Sequence, residues 1–281
     1  MTMISTGRPS GAMARLSAGL SMTARMLRRS GRRQRLRLAA GARDLARPCP
    51  LTLVVVGTTL AASLLFLAAP GIDLAASAAF HEPGAGFPAA SLEALRLLRR
   101  SSTWVMGAVL ILTLAVAFGP RSWRIVGRES RRRRAACLLV AFAAGPGLLV
   151  NGLLKGFWDR ARPVNIETFG GDAPFAAAWR FSDGCATNCS FTSGEAASAA
   201  WTAMAALALM PRVWRPTAGL AVIVYTLALS MNRIAFGGHF LSDVVLSWLL
   251  TLLATILTVR LMRAAPAASF AFAGPRPLAV A

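Results

Sequence analysis

Six apolar stretches, each close to the ~20 residues that a helix needs to cross membrane hydrocarbon, limit what this chain can fold into. They cover residues 51–69, 103–119, 136–154, 195–210, 217–231 and 240–262. Backbone N–H and C=O groups find no water inside a lipid bilayer, so stretches of this kind form helices. The sequence therefore predicts an all-α fold, a six-span transmembrane helical bundle, in a membrane domain that covers residues 49–263.

The segments outside this domain have a different composition. Residues 1–48 carry many Arg and a single acid, Asp44, whereas residues 264–281 are rich in Ala and Pro. Neither segment shows a periodic apolar face that would pack against a core. Both are predicted to be disordered, the first as a basic arm beside the cytoplasmic surface of the membrane.

The charge of the chain is strongly positive, with 31 basic and 11 acidic residues, and a net charge of +20 suggests nucleic acid as a partner. The basic residues cluster beside apolar stretches, however, in the N-terminal arm and at 121–134, 212–215 and 260–263. Because basic loops of membrane proteins stay on the cytoplasmic side, this pattern predicts two cytoplasmic termini and no nucleic-acid partner. Nine of the eleven acids fall on the opposite side.

Three basic residues, Arg96, Arg99 and Arg100, depart from this pattern because they fall on the non-cytoplasmic side. Leucines at positions 92, 95 and 98 flank them. A short interfacial helix, with its apolar face against lipid headgroups, is expected here.

A first polar cluster follows the third apolar stretch, from Lys155 to Arg162-Pro163. Its three cations, Lys155, Arg160 and Arg162, are close in sequence, and Lys and Arg together suit a dianion such as phosphate. The same residues also fit an interfacial basic belt anchored by Trp158.

A second polar cluster, Ser193-Gly194-Glu195, opens the fourth apolar stretch. Ser193 can cap the helix, and Gly194 lets backbone N–H groups approach an anion at the positive end of the helix dipole. A plain capping motif without a ligand is the simpler interpretation of these residues alone.

A third polar cluster runs from Asn232-Arg233 to His239 and Asp243, where the last apolar stretch begins. His239 and Asp243 are four residues apart and share a helix face, so the carboxylate can orient the imidazole. Asp243 also enters an apolar stretch, where a charge needs a partner or a function. A lone His near a helix start is more often structural, but this one has an Arg and an Asp at catalytic spacings.

Together the three clusters resemble the motifs of the type 2 phosphatidic acid phosphatase family, over residues 51–262. Lys155, six residues and Arg162-Pro163 match the first motif, and Ser193-Gly194 matches half of the second. Arg233, five residues, His239, three residues and Asp243 match the third. The order of the motifs and the six-span frame also agree.

The resemblance implies a membrane phosphatase that needs neither a metal nor a cofactor. His239 would attack phosphorus and form a phosphohistidine, and Asp243 would orient His239. The resemblance assigns the phosphate oxygens to five residues: Lys155, Arg162, Ser193, Gly194 and Arg233. Arg160 is expected to assist them.

Three positions depart from the family pattern: Thr192 replaces Pro, Asn232 replaces Ser, and Glu195 replaces the His that protonates the leaving oxygen. A Glu donates a proton only when it is protonated, and neighbouring cations favour its ionised form. Glu195 is therefore a catalytic acid, a contact for a cationic or hydroxyl-rich headgroup, or a sign that the leaving group needs little protonation.

A looser similarity links the chain to the bacterial lipid A phosphatase branch of this family. It rests on Phe80-His81-Glu82-Pro83, where His81 is expected only to shape the loop, and on the run from Cys185 to Cys189. It implies a bacterial inner membrane with the site on the periplasmic face. There Cys185 and Cys189 form either a disulfide or two free thiols. The expected substrates are a lipid A-like lipid, undecaprenyl diphosphate or phosphatidylglycerol phosphate.

Other functions fit parts of the sequence. A lipid phosphotransferase would use the same phosphorylated His239, and a non-catalytic lipid-binding protein would explain Glu195. The loop 164–189 is long enough to form a lid that selects the headgroup. A transporter is disfavoured because the sequence shows no internal repeat.

Overall fold

The computed structural model describes residues 49–120 and 128–264. It contains these helices: α1 (Pro50–Ala68), α2 (Gly71–Ala78), α3 (Glu93–Phe118), α4 (Arg128–Phe142), α5 (Gly194–Leu209), α6 (Thr217–Ala235) and α7 (Leu241–Ala264). Short 3₁₀ turns lie at Pro88–Ser91, Pro163–Asn165, Glu167–Phe169 and Arg212–Trp214. The described part of the chain has no β-strand, so the all-α prediction is confirmed there. The predicted disordered segments 1–48 and 264–281 lie outside it, apart from residue 264.

Pro48–Val259 form one compact unit. A second unit groups the two ends of the chain, and the structure describes only residues 260–264 of it, as the last residues of a helix.

Five helical segments are long and apolar enough to cross a membrane: Pro50–Ala68, Glu93–Phe118, Glu129–Phe157, Thr217–Ala235 and Leu241–Ala264. The chain is therefore a membrane protein by the length and composition of its helices. The remaining predicted span corresponds to α5, which has 16 residues and is shorter than the others. Whether α5 crosses the membrane stays a prediction.

Helix α5 is the inner helix of the bundle and packs against α3, α4 and α6. Its buried residues are mostly alanines, which allow helix backbones to approach closely. The large buried side chain of this helix is Trp201, which donates a hydrogen bond to the Leu138 carbonyl at 2.8 Å and packs on Phe142. The small side chains of α5 place its first turn in the middle of one end of the bundle.

Helix α4 continues as a π-helix over Ala143–Leu154 and ends in one α-helical turn, Lys155–Phe157. The sequence predicts a kink at Gly145-Pro146-Gly147, and the structure shows the π-helix at this place. Pro146 has no N–H to donate to the preceding turn, which favours a wider hydrogen-bonding pattern. The Asn151 side chain donates to the Pro146 carbonyl at 2.7 Å.

The expectation of a separate interfacial helix around Arg96–Arg100 is wrong. Helix α3 runs without interruption through 26 residues from Glu93, because no proline or turn residue separates the Arg-rich segment from the apolar one. Two contacts fix its first turns to α6: Asn232 Nδ2 donates to the Leu95 carbonyl at 2.9 Å, and the hydroxyls of Ser101 and Tyr225 are 2.7 Å apart.

The long connection between α4 and α5 folds back on the bundle through aromatic side chains. Trp158 contacts Trp179, Phe181 and Phe191, and this group joins a core with residues of α1 and α7. The His81 ring lies 5.3 Å from Phe87 and 5.0 Å from Phe169, so it packs between two loops. This contact agrees with the loop-shaping role expected of His81.

Candidate active site

The three polar clusters of the sequence meet at one end of the bundle. The helical turn Lys155–Phe157 contributes Lys155, the first turn of α5 contributes Glu195, and the last turn of α6 contributes Arg233. Backbone hydrogen bonds join the segments: Ser193 N–H donates to the Asp243 carbonyl, and Val164 N–H donates to the Gly237 carbonyl at 3.0 Å.

His239 sits in the turn between α6 and α7, and only 1% of it is exposed. Gly237 allows this turn because its φ is +61°, a value that residues with a side chain rarely adopt. His239 Nδ1 lies 2.8 Å from the Ser190 carbonyl oxygen. A carbonyl only accepts hydrogen bonds, so this contact assigns the proton to Nδ1 and leaves the lone pair on Nε2.

Asp243 acts on His239 by charge. Its Oδ2 lies 3.8 Å from His239 Nδ1, which is beyond hydrogen-bonding distance. The same oxygen accepts hydrogen bonds from the Ser190 hydroxyl and from the Phe240 N–H. Asp243 therefore positions Ser190, whose carbonyl in turn holds the imidazole. The sequence predicts that Asp243 orients His239, and the geometry routes this action through Ser190.

Arg160, expected to assist phosphate binding, is occupied elsewhere. It is fully buried and forms ion pairs with Asp243 at 2.7 Å and with Asp73 at 2.8 Å. Its Nε donates to the Ala176 carbonyl, and its guanidinium lies 4.1 Å from the Phe240 ring centre. The expectation for Arg160 is wrong because two buried carboxylates hold it in the core.

Sequence reasoning did not single out Asp73. It is buried in α2, and its oxygens accept hydrogen bonds from the backbone N–H and hydroxyl of Ser242 at 2.8 and 2.6 Å. Its only signal in the sequence was an acid directly after the first apolar stretch. Through Arg160 and Ser242 it supports the start of α7, next to His239.

Arg233 carries the most direct signal for an anion. It is 3% exposed, and its Nη1 is buried without a hydrogen-bond partner among the described residues. Its Nε forms an ion pair with Glu195. Buried guanidinium donors normally find acceptors, and phosphate oxygens suit them best. Gly238 leaves room for this side chain, because a Cβ there would lie 2.6 Å from Arg233 Nη2.

Two further cations lie close to Arg233. Lys155 interacts electrostatically with Arg162, Arg233 and Glu195, and it has no ion pair within 4 Å in the described part of the chain. The Arg162 guanidinium donates from Nε and Nη2 to the Asn188 carbonyl, at 3.0 and 2.8 Å. Lys155 and Arg162 of the first motif therefore lie near Arg233 of the third motif.

Asn188 lies in a small ring closed by a disulfide between Cys185 and Cys189, whose Cα atoms are 5.6 Å apart. The sequence left a disulfide and two free thiols open, and the structure contains the disulfide. The ring precedes Ser190 directly, so it supports both the partner of Arg162 and the partner of His239.

The first turn of α5 forms the remaining wall. The Ser193 hydroxyl accepts a hydrogen bond from the Ala196 N–H at 3.3 Å, which confirms the predicted cap. A Cβ at Gly194 would collide with the Asn151 side chain, so only glycine fits here without a shift. Unpaired N–H groups of a first helical turn favour an anion.

Glu195 points between two guanidinium groups. Its Oε1 lies 3.1 Å from Arg99 Nη2, and its Oε2 lies 3.3 Å from Arg233 Nε. Sequence reasoning missed Arg99 as a site residue. Its signal was the position of an Arg on the side of the membrane where basic residues are rare.

A cavity of about 630 Å³ adjoins these charges and extends between α3, α5 and α6. Its charged lining residues include Arg99, Lys155 and Glu195, and its other lining residues include Met106, Thr202, Thr226 and Leu229. The hydroxyls of Thr202 and Thr226 donate to carbonyls of their own helices, so they leave few free donors. A molecule with an anionic head and an apolar body matches this cavity.

The chain is similar to a family and to proteins of known activity. The model of the PAP2 superfamily matches residues 134–266. A lipid A 4'-phosphatase of Rhizobium leguminosarum is 35% identical over 185 residues, which are 65% of this chain and 78% of that protein. A lipid A 4'-phosphatase of Francisella tularensis subsp. novicida is 31% identical over 203 residues, 71% of this chain and 90% of that protein. No solved structure matches the chain.

Proposed function

This chain belongs to the PAP2 superfamily, and from that premise we propose that it removes phosphate from a lipid A-like saccharide lipid in a bacterial membrane. The observation that carries the proposal is that one end of the bundle holds both His239 and Arg233, each with a free hydrogen-bonding group. The histidine has its free lone pair on Nε2, and the arginine has a buried donor, Nη1, that no atom of the described residues accepts. The names and identities of the relatives support the lipid A-like substrate.

In the proposed reaction, His239 Nε2 forms a bond to phosphorus while the bond from phosphorus to the leaving oxygen breaks. Lys155, Arg162 and Arg233 hold the phosphate oxygens as their charge develops, together with Ser193 and the N–H of Gly194. The leaving oxygen keeps the electron pair and takes a proton from water. A second water then attacks the phosphohistidine, which releases phosphate and restores neutral His239.

We propose a six-span topology with both termini in the cytoplasm and the site on the periplasmic face. Its support is the distribution of charge, because the arginines at 212–215 flank the opposite end of α5 and α6 from the site. The Arg-rich residues 121–127 and the N-terminal arm lie outside the described residues, so their placement rests on sequence alone.

Activity should persist well into mildly acidic conditions. Burial lowers the pKa of His239, and the charge of Asp243 opposes this shift only in part. Below its pKa the imidazole is protonated and has no lone pair, so kcat/KM should fall on the acid side, with its midpoint below about pH 6.5. The check is a pH profile of kcat/KM on a lipid phosphate.

The phosphate of the substrate titrates in a similar range, so a variant is needed to assign this limb. Asp243→Asn removes a charge that raises the pKa of His239. The acid limb should therefore move to lower pH in the variant, whatever activity remains. If the acid-side fall of kcat/KM stays at the same pH in the variant, it reports the substrate phosphate. A midpoint above pH 6.5 in the unmodified protein would contradict the prediction.

The proposed substrate is tested by phosphate release from purified, detergent-solubilised full-length protein with chelator present. The panel contains lipid A, undecaprenyl diphosphate, phosphatidylglycerol phosphate and phosphatidate. We expect chelator-resistant release, fastest from lipid A. Release from another lipid alone would correct the substrate. Release that requires a second lipid would favour the phosphotransferase, and no release from any combination would favour a non-catalytic lipid-binding protein.

A further inference from the structure

Glu195 lies between guanidinium groups from two different helices. Arg99 Nη2, on α3, donates to its Oε1 at 3.1 Å, and Arg233 Nε, on α6, lies 3.3 Å from its Oε2. The Arg233 side chain is 4% exposed, whereas those of Glu195 and Arg99 are 39% and 47% exposed. A guanidinium group therefore contacts each carboxylate oxygen of Glu195.

This contact joins two unusual features of the sequence. Arg99 interrupts the charge pattern of the predicted topology, and Glu195 occupies the place of the His in the second family motif. The two residues are 96 positions apart. The negative charge of Glu195 weakens the positive field of Lys155, Arg162 and Arg233, and the positive charge of Arg99 compensates for it.

A second departure from the family pattern contacts the same end of α3. Asn232 stands where the family has Ser, and its Nδ2 donates to the Leu95 carbonyl at 2.9 Å. Leu95 lies one helical turn before Arg99, and Asn232 immediately precedes Arg233. Glu195 and Asn232, two of the three departures, therefore connect the start of α3 with Arg233, the proposed phosphate ligand.

Taking the proposed phosphatase as given, we propose that Arg99 is a positioning residue that holds Glu195 as a fixed carboxylate. Glu195 in turn aims the Arg233 guanidinium, whose Nε faces it and whose Nη1 has no other partner in the described part of the chain. The first turns of α3 thereby become part of the active site. In this arrangement position 195 orients a phosphate ligand and transfers no proton.

The experiment compares Arg99→Gln, Glu195→Gln and the double variant in the full-length, solubilised protein, with the best lipid phosphate of the panel. A hydrogen bond between charged groups contributes enough that each single change should lower kcat/KM by roughly 10- to 100-fold. Because both changes break the same bridge, the double variant should lose little more than the worse single variant. Arg99→Lys should retain an intermediate activity.

Arg100→Gln is the matched control. It removes the same charge from the neighbouring position, but Arg100 pairs with Glu93 at 3.5 Å and is 69% exposed. Exposed pairs contribute little, so kcat/KM should change less than about fivefold. An equal loss in both variants would attribute the effect of Arg99→Gln to general charge and overturn the positioning role.

Two further readouts separate positioning from proton donation and from plain structural support. The basic side of the pH profile should be the same in the unmodified protein and in Glu195→Gln. If position 195 donates a proton, Glu195→Gln would change the basic side of the profile, because Gln cannot donate in place of a carboxyl group. That result would overturn the proposal.

Titration with inorganic phosphate needs no turnover. We expect weaker phosphate binding in Arg99→Gln and Glu195→Gln, by a factor comparable to the loss in kcat/KM, at unchanged thermal stability. Unchanged phosphate affinity in both variants would overturn the proposal even if the panel shows activity. If the panel shows no activity, the proposed function fails, and the phosphate titration still decides whether the bridge positions Arg233.

Discussion

Replacing His239 by alanine should abolish phosphate release, with a loss in kcat of roughly 10⁴- to 10⁶-fold, as for other nucleophiles that act through a covalent intermediate. The other histidine of the chain, His81, packs against Phe87 and Phe169, so His239 is the imidazole at this site. The measurement is phosphate release in chelator from the best lipid of the panel, under single-turnover and steady-state conditions.

His81→Ala is the matched control, since the chain has two histidines in all. His81 packs against Phe87 and Phe169 and is not placed in the site. Its removal should cost some stability and leave kcat within a few-fold of the unmodified protein. A His81 variant as inactive as the His239 variant would mean that folding, and not the nucleophile, accounts for the loss.

The covalent intermediate gives an independent readout. Brief incubation with a radiolabelled lipid phosphate, followed by quenching in alkali, should leave label on the protein in an acid-labile form. The label should be absent from His239→Ala and present in His81→Ala. Rapid phosphate release without any trapped label, together with residual activity in His239→Ala, would contradict the phosphohistidine and favour direct attack by water.

The residues of this site that can be predicted from the sequence are those whose spacing is local. Lys155 and Arg162, or Arg233, His239 and Asp243, fall within one turn or one helix end, so their relation is visible as a short pattern. The apolar stretches are equally local, and helices occupy all six predicted places. Local patterns also predicted the Ser193 cap, because a cap depends on neighbours only three residues away.

The contacts that sequence reasoning missed join distant parts of the chain. Arg160 meets Asp73 across 87 positions, and Arg99 meets Glu195 across 96. The choice of partner for each cation depends on how the helices pack, and a single sequence holds no record of that packing. This is why Arg160 was assigned to the phosphate, although Asp73 and Asp243 hold it in the core.

The Asp243 carboxylate shows a subtler limit. Its spacing of four residues from His239 predicts that it orients the imidazole, yet Asp243 Oδ2 and His239 Nδ1 are 3.8 Å apart. Ser190 lies between them, with its hydroxyl on Asp243 and its carbonyl on His239. A segment that precedes α5 supplies this link, so the family motif identifies the participants without identifying the connection.

Replacing Arg160 by methionine should destabilise the fold by about 3–5 kcal/mol, the usual cost of leaving a buried charge without its partner. The change leaves the carboxylates of Asp73 and Asp243 in the core, both with 0% side-chain exposure. Methionine fills part of the volume but provides no donor. The measurement is thermal unfolding in detergent, followed by tryptophan fluorescence, together with the yield of folded protein.

Arg162→Met is the control for this loss, because it removes the same charge two positions away. Arg162 is partly exposed, and among the described residues it bonds to the Asn188 carbonyl alone. Its loss should therefore cost little stability, about 1 kcal/mol, while it lowers activity strongly. Arg160→Met should therefore lower stability more than Arg162→Met does, and Arg162→Met should lower catalysis at nearly unchanged stability.

A second change distinguishes unpaired charge from lost packing if Arg160→Met folds poorly. Asp73→Asn removes one of the two carboxylates, so the double variant should be more stable than Arg160→Met alone. Burial raises the pKa of Asp73, an effect that Arg160 opposes in the unmodified protein. Without Arg160 the folded state binds a proton at Asp73 more readily than the unfolded chain, so the deficit of Arg160→Met should shrink as pH falls from about 7 to 5. A deficit that is independent of pH and unaffected by Asp73→Asn would assign the loss to packing and contradict the role of Arg160 as the counter-charge of this core.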